Sequence, residues 1–238
     1  YDRVDIKAAR ARSIDVCNAP GTNSNAVAEL AMGLMLCCAR SLPYHFANTK
    51  QKLWKNDRNG MELTGKTLGI LGLGAIGKEL AKKAAAFGMK VLGYSRHIDE
   101  SFCKEYGIIP ADRETILRES DVISLHMPQT PLTKESINKD AFAQMKKGVI
   151  LINTSRGYLV NRADLIDAIK VGIVASYGTD VMQEEPPEAD DPLFSLDEVM
   201  ITPHMGASTE EAHIKMMDVA MTNALDILEG RPCKNIVN

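Results

Sequence analysis

Three polar residues stand just beyond short apolar runs. Arg156 follows Asn153-Thr154-Ser155, Glu185 lies in the loop after Asp180-Val181, and His204 follows Ile201-Thr202-Pro203. Their types form a chemical set. Reduction of a 2-keto acid by hydride transfer needs a cation for the carboxylate and carbonyl, and an acid that protonates the developing alkoxide. A carboxylate that keeps the acid's imidazole charged completes the set. Arg, His and Glu meet these needs in turn. Each residue alone has a plainer use, Arg156 as a loop cation, Glu185 as a solvated acid and His204 as a turn histidine beside Pro203. The arrangement of all three at strand ends points to a site, because ligands of doubly wound sheets bind beyond the carboxyl ends of the strands.

A second constellation is Gly72-Leu73-Gly74-Ala75-Ile76-Gly77. It follows a predicted strand and opens a predicted helix, the context that turns a weak GxGxxG pattern into a dinucleotide-binding signal. The first glycine makes the tight turn, the second admits a pyrophosphate and the third lets helix pack on strand. The pyrophosphate then sits on free N–H groups at the helix N-terminus, with Ala75 and Ile76 in its first turn. The spacing Gly72-x4-Gly77-Lys78 also fits a triphosphatase phosphate loop up to its last position. There Glu79 stands in place of the Ser or Thr that holds magnesium, so that reading is rejected.

The residues after the next strand choose between dinucleotides. NAD use places Asp or Glu there to accept from the ribose 2′-hydroxyl. This chain has Ser95-Arg96-His97, with no carboxylate before Asp99. Arg96 is a forked, permanently charged partner for a 2′-phosphate, and Ser95 and His97 add hydrogen bonds. NADP is therefore expected to be favoured over NAD.

The elements that position these residues follow from periodicity. Val27, Leu30, Ala31, Leu34, Met35 and Cys38 recur three and four apart and predict a helix over 24–40, with Ser24 as a plausible N-cap. Pro43 ends or kinks it before a second stretch to Trp54. Short apolar runs predict strands at 67–71, 90–94, 121–125, 149–152, within 173–180 and at 199–201. Amphipathic stretches predict helices at 75–87, 113–119, 140–145, 162–170 and about 208–228. This alternation means an α/β fold, a doubly wound parallel sheet covered on both faces.

Composition bounds the function. The 238 residues are 45% hydrophobic and 25% charged, the mix of a globular protein. With 28 basic against 31 acidic residues the net charge is −3, which gives no basis for binding nucleic acid. The longest strongly apolar run, Leu30 to Ala39, is about half of the roughly 20 residues that a bilayer requires, so no membrane role is expected. The five cysteines, Cys17, Cys37, Cys38, Cys103 and Cys233, show no metal-ligand spacing, and no metal is expected. Reduced thiols and the absence of a signal peptide pattern suggest the cytoplasm. The chain opens on Tyr1 and Val4 to Ala9 reads like the middle of a fold, so an N-terminal segment is expected to be missing.

Taken together, the motifs resemble the D-isomer-specific 2-hydroxyacid dehydrogenases. The likeness rests on Cys17-Asn-Ala-Pro-Gly21, Val27-Ala-Glu29, Gly65 to Gly74, Leu125-His-Met-Pro128, Asn153-Thr-Ser-Arg-Gly157, Asp180-Val181 with Glu185-Pro186, and Thr202-Pro-His204. The resemblance implies reversible reduction of a 2-keto acid to a D-2-hydroxy acid with NAD(P)H, on substrates such as hydroxypyruvate, glyoxylate or 3-phosphoglycerate. It implies that Arg156 binds the substrate, His204 is the general acid/base and Glu185, rather than Glu184, pairs with it. It places Asn23 near the substrate, Asp180 on the nicotinamide carboxamide, and His126, Pro128 and Thr154 along the cofactor pocket. It further implies a homodimer through the helices of 24–54. The resemblance divides the chain into a dinucleotide domain at 18–206, flanked at 1–17 and 207–238 by remnants of a flavodoxin-like substrate domain. Corepressors of the C-terminal-binding-protein type share these residues, so a dinucleotide-sensing binding protein is the alternative.

Overall fold

The computed structural model describes residues 4–238; Tyr1 to Arg3, part of the expected N-terminal remnant, lie outside the described residues. The chain runs α1 (Ile6–Ala11), α2 (Ser24–Arg40), α3 (Leu42–Lys50), β1 (Thr67–Leu71), α4 (Ala75–Ala86), β2 (Lys90–Tyr94), α5 (Glu100–Tyr106) and β3 (Ile109–Pro110). It continues through α6 (Arg113–Glu119), β4 (Val122–Leu125), α7 (Lys139–Phe142), β5 (Val149–Asn153), α8 (Arg162–Lys170), β6 (Val174–Thr179), β7 (Val199–Ile201) and α9 (Glu210–Leu228).

All seven strands pair in parallel, in the order β3-β2-β1-β4-β5-β6-β7. Such a sheet needs cover on both faces, and strand alternation supplies an apolar set to each. Leu68, Ile70, Val122, Ile150 and Ile152 join one core with residues of α2, α4 and α5. Leu71, Ile123, Leu125, Val149 and Leu151 join the other with residues of α6, α7 and α8. The order of strands reverses between β1 and β4, and Leu71 pairs with Leu125 there, so the turn after β1 and the segment after β4 open onto one crevice.

The chain divides into two compact units, Val27–Gly206 and a smaller one of residues up to Ala26 with Ala207–Asn238. The division falls inside α2. Asn18 is tied to the far end of the chain, since its N–H donates to the Asn235 carbonyl and its own carbonyl accepts from the Asn223 side chain.

Other expectations shift in detail. The second helical stretch was expected to reach Trp54 but ends at Lys50, because Lys52 takes a left-handed φ of 61°; Trp54 is 96% exposed. The helix expected at 140–145 spans only Lys139–Phe142. Among the described residues no single helix is long and apolar enough to cross a membrane; α2 and α3 pass together by length and composition but meet at a 68° bend.

Candidate active site

The glycine turn shows three different environments. Gly72, at φ 111°, lies so close to the segment after β4 that a Cβ would stand 2.6 Å from the His126 carbonyl. A Cβ on Gly77 would stand 2.3 Å from the Gly72 carbonyl oxygen, so helix and turn touch backbone to backbone. A Cβ on Gly74 would meet nothing within 4 Å. Gly74 is also the N-cap of α4, and no side chain caps that end. Ala75 and Ile76 thus open the helix on empty space, where the unsatisfied N–H groups and the helix dipole favour an anion. The residues present fit a dinucleotide pyrophosphate.

At the end of β2, Ser95 is half-buried while Arg96 and His97 are exposed. Asp99, the first carboxylate beyond, is occupied. It accepts from Lys78 Nζ at 2.5 Å, from Ser101 Oγ at 2.6 Å and from the Phe102 N–H at 3.1 Å, which makes it the N-cap of α5. Lys78, then Ser101 and the Phe102 N–H, hold its carboxyl well below the usual range. The cationic and hydrogen-bonding groups at this strand end therefore face no uncommitted carboxylate from Asp99.

Beyond β4, His126 turns its imidazole inward, with Nε2 2.8 Å from Ser124 Oγ. Burial pushes its pKa down to about 4, so the ring is neutral at physiological pH. It is the His126 backbone, not the ring, that meets the glycine turn. Pro128 is exposed at the mouth of the same segment. Beyond β5, Thr154 is 8% exposed. Its Oγ1 and His126 Nδ1 are buried polar atoms with no hydrogen-bond partner among the described residues, which suits a polar ligand along these strand ends.

His204 and Glu185 are brought together. Nδ1 of the imidazole lies 2.7 Å from Glu185 Oε2, and Glu185 Oε1 accepts from the Met182 N–H at 3.2 Å. The neighbouring glutamate is distinguished by its own partner, as Glu184 accepts from the Tyr158 hydroxyl. His204 is 49% exposed as a side chain, Glu185 23%, so the carboxylate is the fixed member of the pair and the ring is the accessible one. Both line a cavity of about 510 Å³ with Asp180, Leu193, Phe194 and Ile201. Arg156 sits half-buried at the end of β5, its Nη1 donating to the Ser155 carbonyl and its own carbonyl accepting from Asn153. Asn23 belongs to the smaller unit.

Asp180 has a placement the motifs did not indicate. It is 2% exposed, and Oδ1 accepts from Thr202 Oγ1 at 2.5 Å and the Met205 N–H at 2.9 Å, while Oδ2 accepts from the Gly206 N–H at 2.7 Å. These bonds clamp the turn that carries His204 in a left-handed conformation, φ 52°. An L-residue is held there only when its surroundings over-determine it. In the structure the Asp180 carboxylate braces the histidine turn. The spacing of an acid at one strand end and a histidine just past the next was visible, but not that the carboxylate spans backbone between them.

A wholly parallel sheet in this order, with a glycine turn at its switch point, defines a dinucleotide-binding domain, and a histidine–carboxylate pair stands at its carboxyl edge. Residues 32–206 match the family model for the D-isomer specific 2-hydroxyacid dehydrogenase, NAD binding domain, and the chain belongs to that family. It is 41% identical over 239 residues to D-3-phosphoglycerate dehydrogenase of Methanocaldococcus jannaschii, covering 100% of this chain and 45% of that protein. It is 44% identical over 214 residues to hydroxypyruvate reductase of Thermotoga maritima, covering 89% of this chain and 69% of the relative. The structure superposes on D-lactate dehydrogenase with NAD+ from Lactobacillus jensenii with a TM-score of 0.88 at 29% identity, covering 100% of this chain and 76% of that one. The chain thus spans less than half the length of the phosphoglycerate dehydrogenase it matches.

Proposed function

We propose that the protein reduces a small 2-keto acid to a D-2-hydroxy acid, reversibly, with a nicotinamide dinucleotide. The observation that carries this reading is the 2.7 Å contact between His204 Nδ1 and Glu185. With Nδ1 engaged, Nε2 is the ring nitrogen that exchanges a proton with the substrate oxygen. Arg156, beyond the neighbouring strand end, takes the substrate carboxylate and polarises the keto group as a forked cation. When bound, the reduced dinucleotide supplies the hydride equivalent. The chain holds it through Gly72, Gly74 and Gly77, the N–H groups of Ala75 and Ile76, the segment of His126 and Pro128, and Thr154; Asp180 keeps the His204 turn in place beside it.

The dinucleotide is NADP in preference to NAD. Ser95, Arg96 and His97 at the end of β2 support this, as does the commitment of Asp99 to Lys78 and the α5 cap. Two chains pair through α2, α3 and the segment to Trp54, where Phe46 is 61% and Trp54 96% exposed. Substrates are of the hydroxypyruvate, glyoxylate and 3-phosphoglycerate class. Neither nucleic acid nor membrane is a partner, in keeping with the −3 net charge, and five free thiols suit the reducing cytoplasm. Within the chain, 18–206 is the dinucleotide domain, and 1–17 and 207–238 belong to a substrate domain.

A panel of small 2-keto acids assayed with NADPH and NADH tests the reading. At least one acid is reduced at enzymic rates, and kcat/KM is higher with NADPH. Tight dinucleotide binding with negligible turnover on every acid refutes the enzymic reading, and a clear NADH preference refutes the cofactor assignment.

A further inference from the structure

Two of the five cysteines have no part in the site just described, yet they meet. Cys17 and Cys233, separated by 216 positions in the chain, place their sulfurs 3.9 Å apart within the smaller unit. Their backbone is fixed from both sides. Cys17 forms an antiparallel bridge with Ile236, the Val237 N–H donates to the Val16 carbonyl at 2.9 Å, and the Asn18 N–H donates to the Asn235 carbonyl at 3.1 Å. One residue of α9, Asn223, ties the frame together. It is 4% exposed, its Nδ2 donates to the Asn18 carbonyl, and its Oδ1 accepts from Asn235 Nδ2 at 2.9 Å and from Cys233 Sγ at 3.5 Å. Both thiols are half-buried, so a small oxidant reaches them, whereas Cys38 and Cys103 are buried.

We propose that Cys17 and Cys233 form a reversible thiol–disulfide pair, a modification site at which a hydroperoxide covalently joins the N-terminal segment to the segment after α9. A disulfide bond is about 2.05 Å long, so roughly 2 Å of sulfur travel separates the present contact from a bond. That distance is within the reach of side-chain rotation on a fixed backbone ladder. One thiolate attacks a peroxide oxygen, the O–O bond breaks, and the sulfur becomes a sulfenic acid while water or an alcohol leaves. The second sulfur then attacks the sulfenic sulfur, the S–S bond forms, the S–O bond breaks and water leaves. Two thiols give up two electrons and two protons, and the peroxide is reduced. Both thiols are half-buried and in contact, so whichever is oxidised first has the other beside it to resolve. A cellular dithiol reverses the bond by exchange, which fits a switch rather than a permanent staple.

The test treats the whole protein, folded, with hydrogen peroxide, then denatures it and alkylates the remaining thiols. Two of the five thiols should be protected, a non-reducing peptide map should link the Cys17 and Cys233 peptides, and dithiothreitol should restore all five. C17S and C233S should each abolish the link, with circular dichroism confirming that they fold; the wild-type map stands without them. Alkylation of all five thiols after peroxide, a link from either cysteine to Cys37, or a disulfide that persists in C17S overturns the proposal.

Discussion

Asp180→Asn changes one oxygen to an amide nitrogen and leaves the volume almost intact, so it isolates the brace under His204. The native carboxylate accepts from Thr202 and the Met205 N–H on one oxygen and from the Gly206 N–H on the other. An amide has one acceptor oxygen. If that oxygen faces Met205, the NH2 group confronts the Gly206 N–H; if the amide is flipped, it confronts Met205. Either way one buried N–H loses its acceptor and meets a donor. A hydrogen bond to a charged group is worth about 1.5–3 kcal/mol, and the stranded donor adds a desolvation cost of about 1–3 kcal/mol. Since Thr202 can rotate to accept, the expected loss is roughly 2–4 kcal/mol of folding stability. The left-handed turn at His204 then relaxes, and kcat falls about 10- to 100-fold as the imidazole leaves its working position. Urea denaturation followed by far-ultraviolet circular dichroism reads the first effect, because the one tryptophan, Trp54, is 96% exposed and a poor reporter. Steady-state reduction of the best keto acid reads the second, and dinucleotide affinity should change less than threefold or so. A D180N protein within about 0.5 kcal/mol of wild type and with unchanged kcat refutes the brace.

Further outcomes follow from the same geometry. Gly74→Ala should fold with nearly full stability, since φ −84° and ψ −160° suit alanine and its Cβ has open room, yet dinucleotide affinity measured by calorimetry should fall at least tenfold or so because that room is the pyrophosphate's; unchanged affinity removes Gly74 from the cofactor site. Ser95→Asp restores a carboxylate at the end of β2 and should shift kcat/KM toward NADH by about tenfold or more; an unmoved ratio shows that Arg96 and His97 do not read the 2′-phosphate. The buried His126 titrates at about 4 when folded against 6.5 when unfolded. The unfolded chain therefore binds the extra proton between these values: the contribution is full above about pH 6.5, declines as pH falls to about 4 and amounts at most to roughly 3 kcal/mol. His126→Asn should flatten that part of the stability profile, and an identical slope refutes the buried neutral ring.

Much of the fold was legible because parallel strands buried on both faces are nearly continuous apolar runs. Thr67–Leu71, Lys90–Tyr94 and Val199–Ile201 were read to the residue, as were the helices Ser24–Arg40, Arg113–Glu119 and Arg162–Lys170. The strand Ile109–Pro110 was not read, since two residues carry no period and a proline argues against a strand except at an edge, which is where β3 lies. The helix Glu100–Tyr106 was also passed over, although Asp99 caps it and Gly107 ends it in a left-handed conformation; both signals were present in the chain. At the site, residue types indicated the chemistry, but the connections depended on folding. Ser124 lies on β4 and His126 one residue past its end, two positions apart, and their side chains meet, a contact that spacing alone foretells. The Asp180 clamp on Met205 and Gly206 runs through backbone N–H groups, which have no sequence signature.

The most direct measurement is turnover of the wild-type protein and of His204→Gln on the same keto acid, alongside dinucleotide affinity for both. The proposed acid/base role predicts that the substitution lowers kcat by about 10²- to 10⁴-fold while dinucleotide affinity stays nearly unchanged. A variant that turns over as fast as wild type, or a wild-type protein that binds dinucleotide tightly and reduces nothing, contradicts it.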